Sequence, residues 1–352
     1  MLPWKWSFIS HYSHMKNFSP KHNLSRSHTR ITVLEWCERK YYLNYYDFDL
    51  KKRDPELWRQ NSVLKRLKSI EMWIGEKSHF LLSDYLHLFQ NFYKERDANP
   101  ALRDEQVQTI KDKLKQEMEE EFETSKKMDF SDYDKFFEKR IWLSEHFYGE
   151  DIDDQLPEAI AKVQENLDRF MQSTRNTKIH GYFEDGYQVY IESPREPFRS
   201  MNVDVSLIPG LEDVSVLAVP DFWVIFSDQN FLILDWKSGK EDILQDQIST
   251  QLKVYALKKL LKMKKTTLDN VTIEAYEIYL NSMNAYGGKI QQEDIDFIIS
   301  KIKSDIETQK SFLQEGDAEK NIPLDPDFFH DALSEKKCET CTFREVCKKF
   351  FK

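Results

Sequence analysis

Two carboxylates and a lysine fall within one short stretch of the 352-residue chain. Asp221 follows a proline in VLAVPDFWVIF, and Asp235-Trp236-Lys237 closes the next apolar run, NFLILDWK. The residues SDQN between the runs have turn composition, which predicts a β-hairpin. Alternate residues of a strand share a face, so Asp235 and Lys237 point the same way, and pairing about the turn brings Asp221 beside Asp235. This is the minimum apparatus for phosphodiester hydrolysis. The carboxylates hold Mg²⁺ or Mn²⁺, the cation activates water and neutralises phosphate charge, and the lysine orients the attacking water. The same acid-x-Lys spacing at Asp49-Leu50-Lys51 and Glu38-Arg39-Lys40 lacks a preceding buried-strand pattern and is read as accidental.

The four cysteines form a second constellation: Cys37 near the start and Cys338-x-x-Cys341-x-x-x-x-x-Cys347 at the end. A close triplet presents three thiolates to one centre, and a fourth from a distant helix completes the set. A cytosolic setting disfavours disulfides, and a four-cysteine site suits zinc and an iron-sulfur cluster alike. A local zinc ribbon built on the triplet would leave the hairpin unexplained and Cys37 too far away.

The elements that must position these groups follow from periodicity. Thr32 and Glu35 read as a capping box opening a helix through LEWCERKYYLNYY, which would carry Cys37 and present Tyr41, Tyr42, Tyr45 and Tyr46 as a packed core face. Two or three charged helices are expected between Pro55 and Lys126, with Gly75 to Phe80 inside one, and another from Pro157 to Ser173. From Lys178 to Leu234 the composition turns to strands and turns, followed by a helix over about 243–263, a strand in VTIEAYEIYL and a helix over about 292–313. The fold class is α/β and helix-rich. No internal repeat or G-x-x-x-x-G-K-[ST] phosphate loop is present.

The net charge of −10 runs against a generally basic nucleic-acid surface. Its distribution is uneven. Met1 to Leu34 contains no acidic residue, Lys258, Lys259, Lys262, Lys264 and Lys265 form a second basic group, and the acidity concentrates between Asp97 and Asp154 on what reads as solvated helix faces. No apolar run approaches a membrane span and the N-terminus lacks a secretory h-region, so a soluble, cytoplasmic protein without a membrane partner is expected.

Pro220-Asp221, then Asp235-x-Lys237, then Gln251-Leu252-x-x-Tyr255 resembles the RecB-like branch of the PD-(D/E)XK nucleases. The resemblance implies a restriction-endonuclease-like core: a central mixed sheet flanked by helices, with a large helical insertion and a cysteine-ligated C-terminal segment. In that branch an upstream G-x-x-x-H histidine is a further metal ligand, and Gly75 and His79 match it; Gln251 and Tyr255 would position the lysine or the substrate strand. Glu192 resembles a recurrent acidic position.

The cysteine spacing is similar to that of the iron-sulfur subgroup, which includes AddB-type nuclease domains and CRISPR adaptation nucleases. This likeness favours a 4Fe-4S cluster on Cys37, Cys338, Cys341 and Cys347 over zinc, as a staple closing a long loop. The expected organisation is a basic arm at 1–30, a nuclease domain at 31–330 (insertion about 54–176, catalytic core about 177–315) and a cysteine segment at 331–352. The expected activity is a metal-dependent deoxyribonuclease, an exonuclease preferring single-stranded or frayed DNA ends, with a helicase or integrase as candidate partner for the insertion. A catalytically silent binding or scaffold protein on the same fold is the alternative, which the intact set of site residues disfavours.

Overall fold

The computed structural model describes residues 24–95, 100–129, 141–194, 202–212, 214–241 and 248–351. Strand β1 (Ser25–Arg26) leads into α1 (His28–Trp36), α2 (Glu38–Tyr45), α3 (Asp47–Arg53) and α4 (Pro55–Leu64). Here the single helix expected from Thr32 is corrected. Ser27 caps α1 by accepting the Arg30 N–H, which leaves Thr32 inside the helix with its hydroxyl donating to the His28 carbonyl at 3.1 Å. The chain then breaks at Cys37, whose extended backbone lets its thiol cap α2 by accepting from the Lys40 N–H. Tyr41, Tyr42 and Tyr46 are fully buried, as a packed core face requires.

Beyond α4, β2 (Leu67–Lys68) pairs in parallel with β3 (Trp142–Leu143), and two long helices, α5 (Ile70–Glu95) and α6 (Pro100–Lys126), lie between them. On the acidic α6, Leu114, Met118 and Phe122 recur every four residues and are buried, so its charges occupy the other faces. Lys77 of α5 is wholly buried and donates to Glu117 at 2.6 Å and Glu121 at 2.7 Å, tying the two helices together. Then come α7 (Ser144–Phe147), α8 (Gln155–Gln172) and α9 (Thr174–Glu184). Helix α9 moves the start of the strand-rich stretch from the expected Lys178 to Gln188. Ser173 caps it through the Asn176 N–H, and Ile179 and Phe183, four residues apart, bury one face.

The strands that follow are β4 (Gln188–Ile191), β5 (Asn202–Val203), β6 (Ser215–Leu217), β7 (Phe222–Ser227) and β8 (Asn230–Lys237); α10 (Thr250–Lys262) precedes β9 (Thr272–Tyr279), β10 (Ala285–Lys289) and α11 (Gln292–Lys310). The main sheet runs β10-β9-β8-β7-β4; β8 and β9 are parallel and the other pairs antiparallel, which makes it mixed. Both faces are covered. Phe231, Ile233, Ile273 and Ala275 pack with α10 and α11, while Phe222, Val224, Leu232 and Leu234 pack with α5 and α8. The continuous apolar runs of β7 and β8 reflect this two-sided burial. Helices of the 54–176 stretch thus cover one face of the sheet.

The chain closes with α12 (Glu335–Glu339) and α13 (Arg344–Phe350). Residues 1–23 of the expected basic arm lie outside the described residues. The remainder packs into the body: Leu24 is fully buried, and Arg26 bonds the buried Asp305 at 3.1 Å. No helix among the described residues is long and apolar enough to cross a membrane.

Candidate active site

The β7–β8 hairpin pairs Phe222 with Leu234, so Asp221, one residue earlier, lies across from Asp235. The chain fixes Asp221 from behind: its Oδ2 accepts the Trp236 backbone N–H at 2.7 Å. Helix α5 delivers His79, whose Nδ1 lies 3.4 Å from Asp221 Oδ1. That approach depends on Gly75, one turn earlier. A Cβ there would stand 2.8 Å from Ser238 Oγ, closer than real side-chain contacts allow, so with any larger residue Ser238 or α5 would have to shift.

Helix α10 completes the other side. Tyr255 donates its hydroxyl to Asp235 Oδ1 at 3.0 Å, and Gln251 Nε2 reaches the same oxygen at 3.4 Å. The Gln251 amide oxygen accepts from Lys237 Nζ at 2.7 Å, while that ammonium also meets Asp235 Oδ2 at 2.6 Å. The i, i+4 spacing of Gln251 and Tyr255 puts both on the helix face turned to the strands. His79, Asp221, Asp235, Lys237, Gln251 and Tyr255 are therefore brought together; strand periodicity leads to the facing of Asp221, Asp235 and Lys237, and the family resemblance to the other three. Glu192 has its backbone beside the site, its N–H donating to the Asp221 carbonyl at 2.8 Å; its carboxylate takes the Tyr190 hydroxyl.

One member escaped the sequence reading. Glu277 of β9 stands in register with Asp235, is 4% exposed, lies 3.7 Å from Lys237 Nζ and accepts the Ser249 hydroxyl at 2.6 Å. Its signal was strand parity: Ile273, Ala275 and Glu277 share the face that packs on α10, so the glutamate interrupts a buried apolar row.

Burial, and then the neighbouring Asp221, push the Asp235 carboxyl up to about 6 against the pull of Lys237. Burial lowers His79, but Asp221 and Asp235 outweigh it and hold the imidazole above its ordinary value. Lys237 follows the same logic, with burial overcome by Asp235 and Glu277, so its cation is retained. Burial and the two aspartates raise Tyr255 well above the ordinary phenol range, which keeps its hydroxyl a donor. The centre is thus a dense anionic pocket with one held ammonium.

A family model described as the PD-(D/E)XK nuclease superfamily matches residues 25–348. The chain belongs to that superfamily. No curated protein matches it significantly. In this PD-(D/E)XK nuclease, the Asp221, Asp235 and Lys237 positions that carried the resemblance stand together at one end of the sheet.

The cysteines lie elsewhere. All four line one cavity of about 310 Å³ together with Trp36, Arg39, Lys40, Phe343 and Arg344. Cys338 is exposed, Cys341 buried, Cys37 and Cys347 half-buried, and none of the four is in a disulfide. Backbone N–H groups of Lys40 and Phe343 donate to Cys37 and Cys341 sulfur, each at 3.4 Å. Burial raises the Cys341 thiol and pushes Cys347 up to about 11. Among the described residues, no three His, Cys, Asp or Glu side chains stand assembled as a metal cage. Arg344 stacks on Tyr148 at 3.3 Å, and the Tyr148 hydroxyl donates to the Thr342 carbonyl, so the cysteine segment is joined to the helical region next to β3.

Proposed function

We propose that this nuclease is a metal-dependent deoxyribonuclease in which Asp221, Asp235 and His79 hold Mg²⁺ or Mn²⁺. The observation that carries the reading is the Lys237 ammonium, fixed by both Asp235 and Gln251 beside the second carboxylate, Asp221. The donor set fits the metal: two carboxylates suit either hard cation, and the imidazole is an additional ligand. When bound, the cation supplies charge neutralisation at the phosphate and a more acidic water.

The protein's own groups do the positioning. Lys237 would donate a hydrogen bond to the attacking water and leave an oxygen lone pair facing the scissile phosphate, and Gln251 shares its ammonium with Asp235. Tyr255 fixes the rotamer of Asp235, and Glu277 adds to Asp235 in keeping Lys237 protonated. Preference for single strands or frayed ends is supported by the lack of a phosphate loop for opening duplex and by a net charge of −10, which gives little general attraction to a rigid helix. A helicase or integrase docked on the α5–α6–α8 region would supply substrate opening or specificity.

The four thiols fit a 4Fe-4S cluster in chemistry: they converge on one cavity, with two backbone N–H groups aimed at sulfur and Arg39 and Lys40 on its wall to offset thiolate charge. Zinc is the competing occupant. Iron and acid-labile sulfide in anaerobically purified protein support the cluster, and stoichiometric zinc without iron refutes it. The activity is tested with end-labelled linear single strands, blunt duplex and covalently closed single-stranded circles in Mn²⁺, at equal nucleotide concentration. Linear single strands should be digested fastest. Faster digestion of duplex defeats the strand preference, equal digestion of circles defeats the need for an end, and no digestion of any substrate defeats the reading as a whole.

A further inference from the structure

The lysine cluster near the end of α10 has no part in the site described above. Helix α10 begins at the catalytic centre with Gln251 and Tyr255 and runs away from it, placing Lys259 and Lys262 about 6 and 10 Å beyond Tyr255 at 1.5 Å per residue. Strand β7 runs the same way, and Trp223 stands about 7 Å along it from Asp221. The two meet: Lys259 Nζ lies 3.9 Å from the Phe231 ring centroid and 5.4 Å from that of Trp223, and Lys262 Nζ lies 4.8 Å from Trp223. Across the edge pair, Tyr190 of β4 stands opposite Trp223 with its ring 5.6 Å away and is 39% exposed.

These lysines are poorly answered by carboxylates. Among the described residues neither Lys259 nor Lys262 forms an ion pair, in a chain whose net charge is −10. Burial and the mutual proximity of the two ammoniums hold Lys259 below its ordinary value, with only Asp228 opposing; burial alone lowers Lys262. Lys258, just behind, is spent on the Ala218 carbonyl, one strand end from Asp221. Two cations without ion-pair partners on aromatic faces, beside an exposed tyrosine at the sheet edge, match what a nucleic-acid strand needs: point charges for phosphates and a ring for a base.

We propose that Lys259, Lys262 and Tyr190 form a strand-binding track that receives the single-stranded nucleic acid flanking the cleaved bond, the lysines meeting its phosphates and Tyr190 stacking on a base. The track deepens the nuclease reading and rests on it for the identity of the ligand. Its test is fluorescence anisotropy with a labelled single-stranded oligonucleotide in EDTA, where no strand is cut, over a series of salt concentrations.

Each phosphate contact on a single strand contributes about 0.7 to the salt slope. Lys259→Gln with Lys262→Gln should therefore lower the slope by about 1.4 and weaken binding roughly twentyfold at 0.1 M salt, and Lys259→Arg with Lys262→Arg should restore both. Tyr190→Leu should weaken binding by about fivefold or more with an unchanged slope. Saturating single-turnover cleavage in Mn²⁺ should stay within about threefold of wild type for the lysine variants, because they lie outside the catalytic centre. Wild-type cleavage with affinity and slope unchanged in the lysine variants overturns the track and leaves the nuclease standing. A lysine-dependent slope in a wild-type protein that cuts nothing in Mn²⁺ supports the track and overturns the nuclease reading.

Discussion

The sheet-end centre and the cysteine cavity are both assembled from distant parts of the chain, yet they are held together in different ways. At the centre every carboxylate has a partner supplied by the protein: Asp221 the Trp236 N–H, Asp235 the groups of Tyr255, Gln251 and Lys237, and Glu277 the Ser249 hydroxyl. At the cavity the sulfurs receive two N–H contacts at 3.4 Å, come from short helices and their flanking turns, and include two thiols, Cys341 and Cys347, that burial shifts upward. A site wired by its own hydrogen bonds keeps its shape whatever occupies it. If the proposed cluster binds there, a site with so few bonds of its own would draw more of its stability from it.

Substitutions should therefore separate activity from stability. The largest effect is expected for Asp221→Asn and Asp235→Asn, whose cleavage rates should fall at least about a hundredfold, the cost of several kcal/mol of transition-state stabilisation. Circular dichroism should show an unfolding midpoint within about 5 °C of wild type. A collapse of the fold in both variants would erase the contrast between the two regions. Cys341→Ser should do the reverse, lowering the midpoint by about 5 °C or more while single-turnover cleavage of the folded fraction stays within about threefold. Equal loss of activity and stability would mean the cavity reaches into the chemistry.

A smaller effect sharpens the electrostatic side. Asp235 is raised to about 6 and His79 is raised above its ordinary value, and a ligand must shed its proton to take a metal. Raised groups add stability to the metal-free fold at low pH and lose it as pH climbs through their folded values. Mn²⁺ should thus raise the melting temperature more at pH 7.5 than at pH 5.5, with affinity falling at least about tenfold over that interval. An equal shift at both pH values would show that neither group yields a proton to the cation. The smallest effect belongs to Gly75→Ala, which should weaken Mn²⁺ affinity a few-fold by pushing α5 off Ser238; adding Ser238→Ala should restore it. Failure of that rescue would mean the close approach does not set the position of His79.

What could be read from residues alone followed the range of the interactions. The hairpin and the facing of Asp221 and Asp235 depend on strand periodicity within about forty residues, and the folded chain keeps them; Gln251 and Tyr255 are singled out by the family resemblance. The break at Cys37 was hidden because apolar and aromatic residues recur at helical spacing on both sides of it, from Leu34 to Tyr41, while the deciding event is a local competition in which Ser27 caps one helix and the Cys37 thiol the next. The stretch KIHGYFE carries strand-forming residues, and only the Ser173 cap and the burial of Ile179 and Phe183 make it helix. Glu277 was out of reach for a different reason: its role exists only once β9 pairs in parallel with β8, a contact set by the whole sheet.

The central claim, that Lys237 held by Asp235 and Gln251 takes part in metal-dependent hydrolysis, is tested most directly by single-turnover cleavage of a linear single strand at saturating Mn²⁺. The wild-type protein and Lys237→Ala would be compared, with Mn²⁺ affinity measured in parallel. The account predicts a rate at least about a hundredfold lower in Lys237→Ala, with Mn²⁺ affinity no weaker than wild type, since the carboxylates remain and a competing cation is gone. Cleavage at the wild-type rate in that variant, with Mn²⁺ bound, would contradict it.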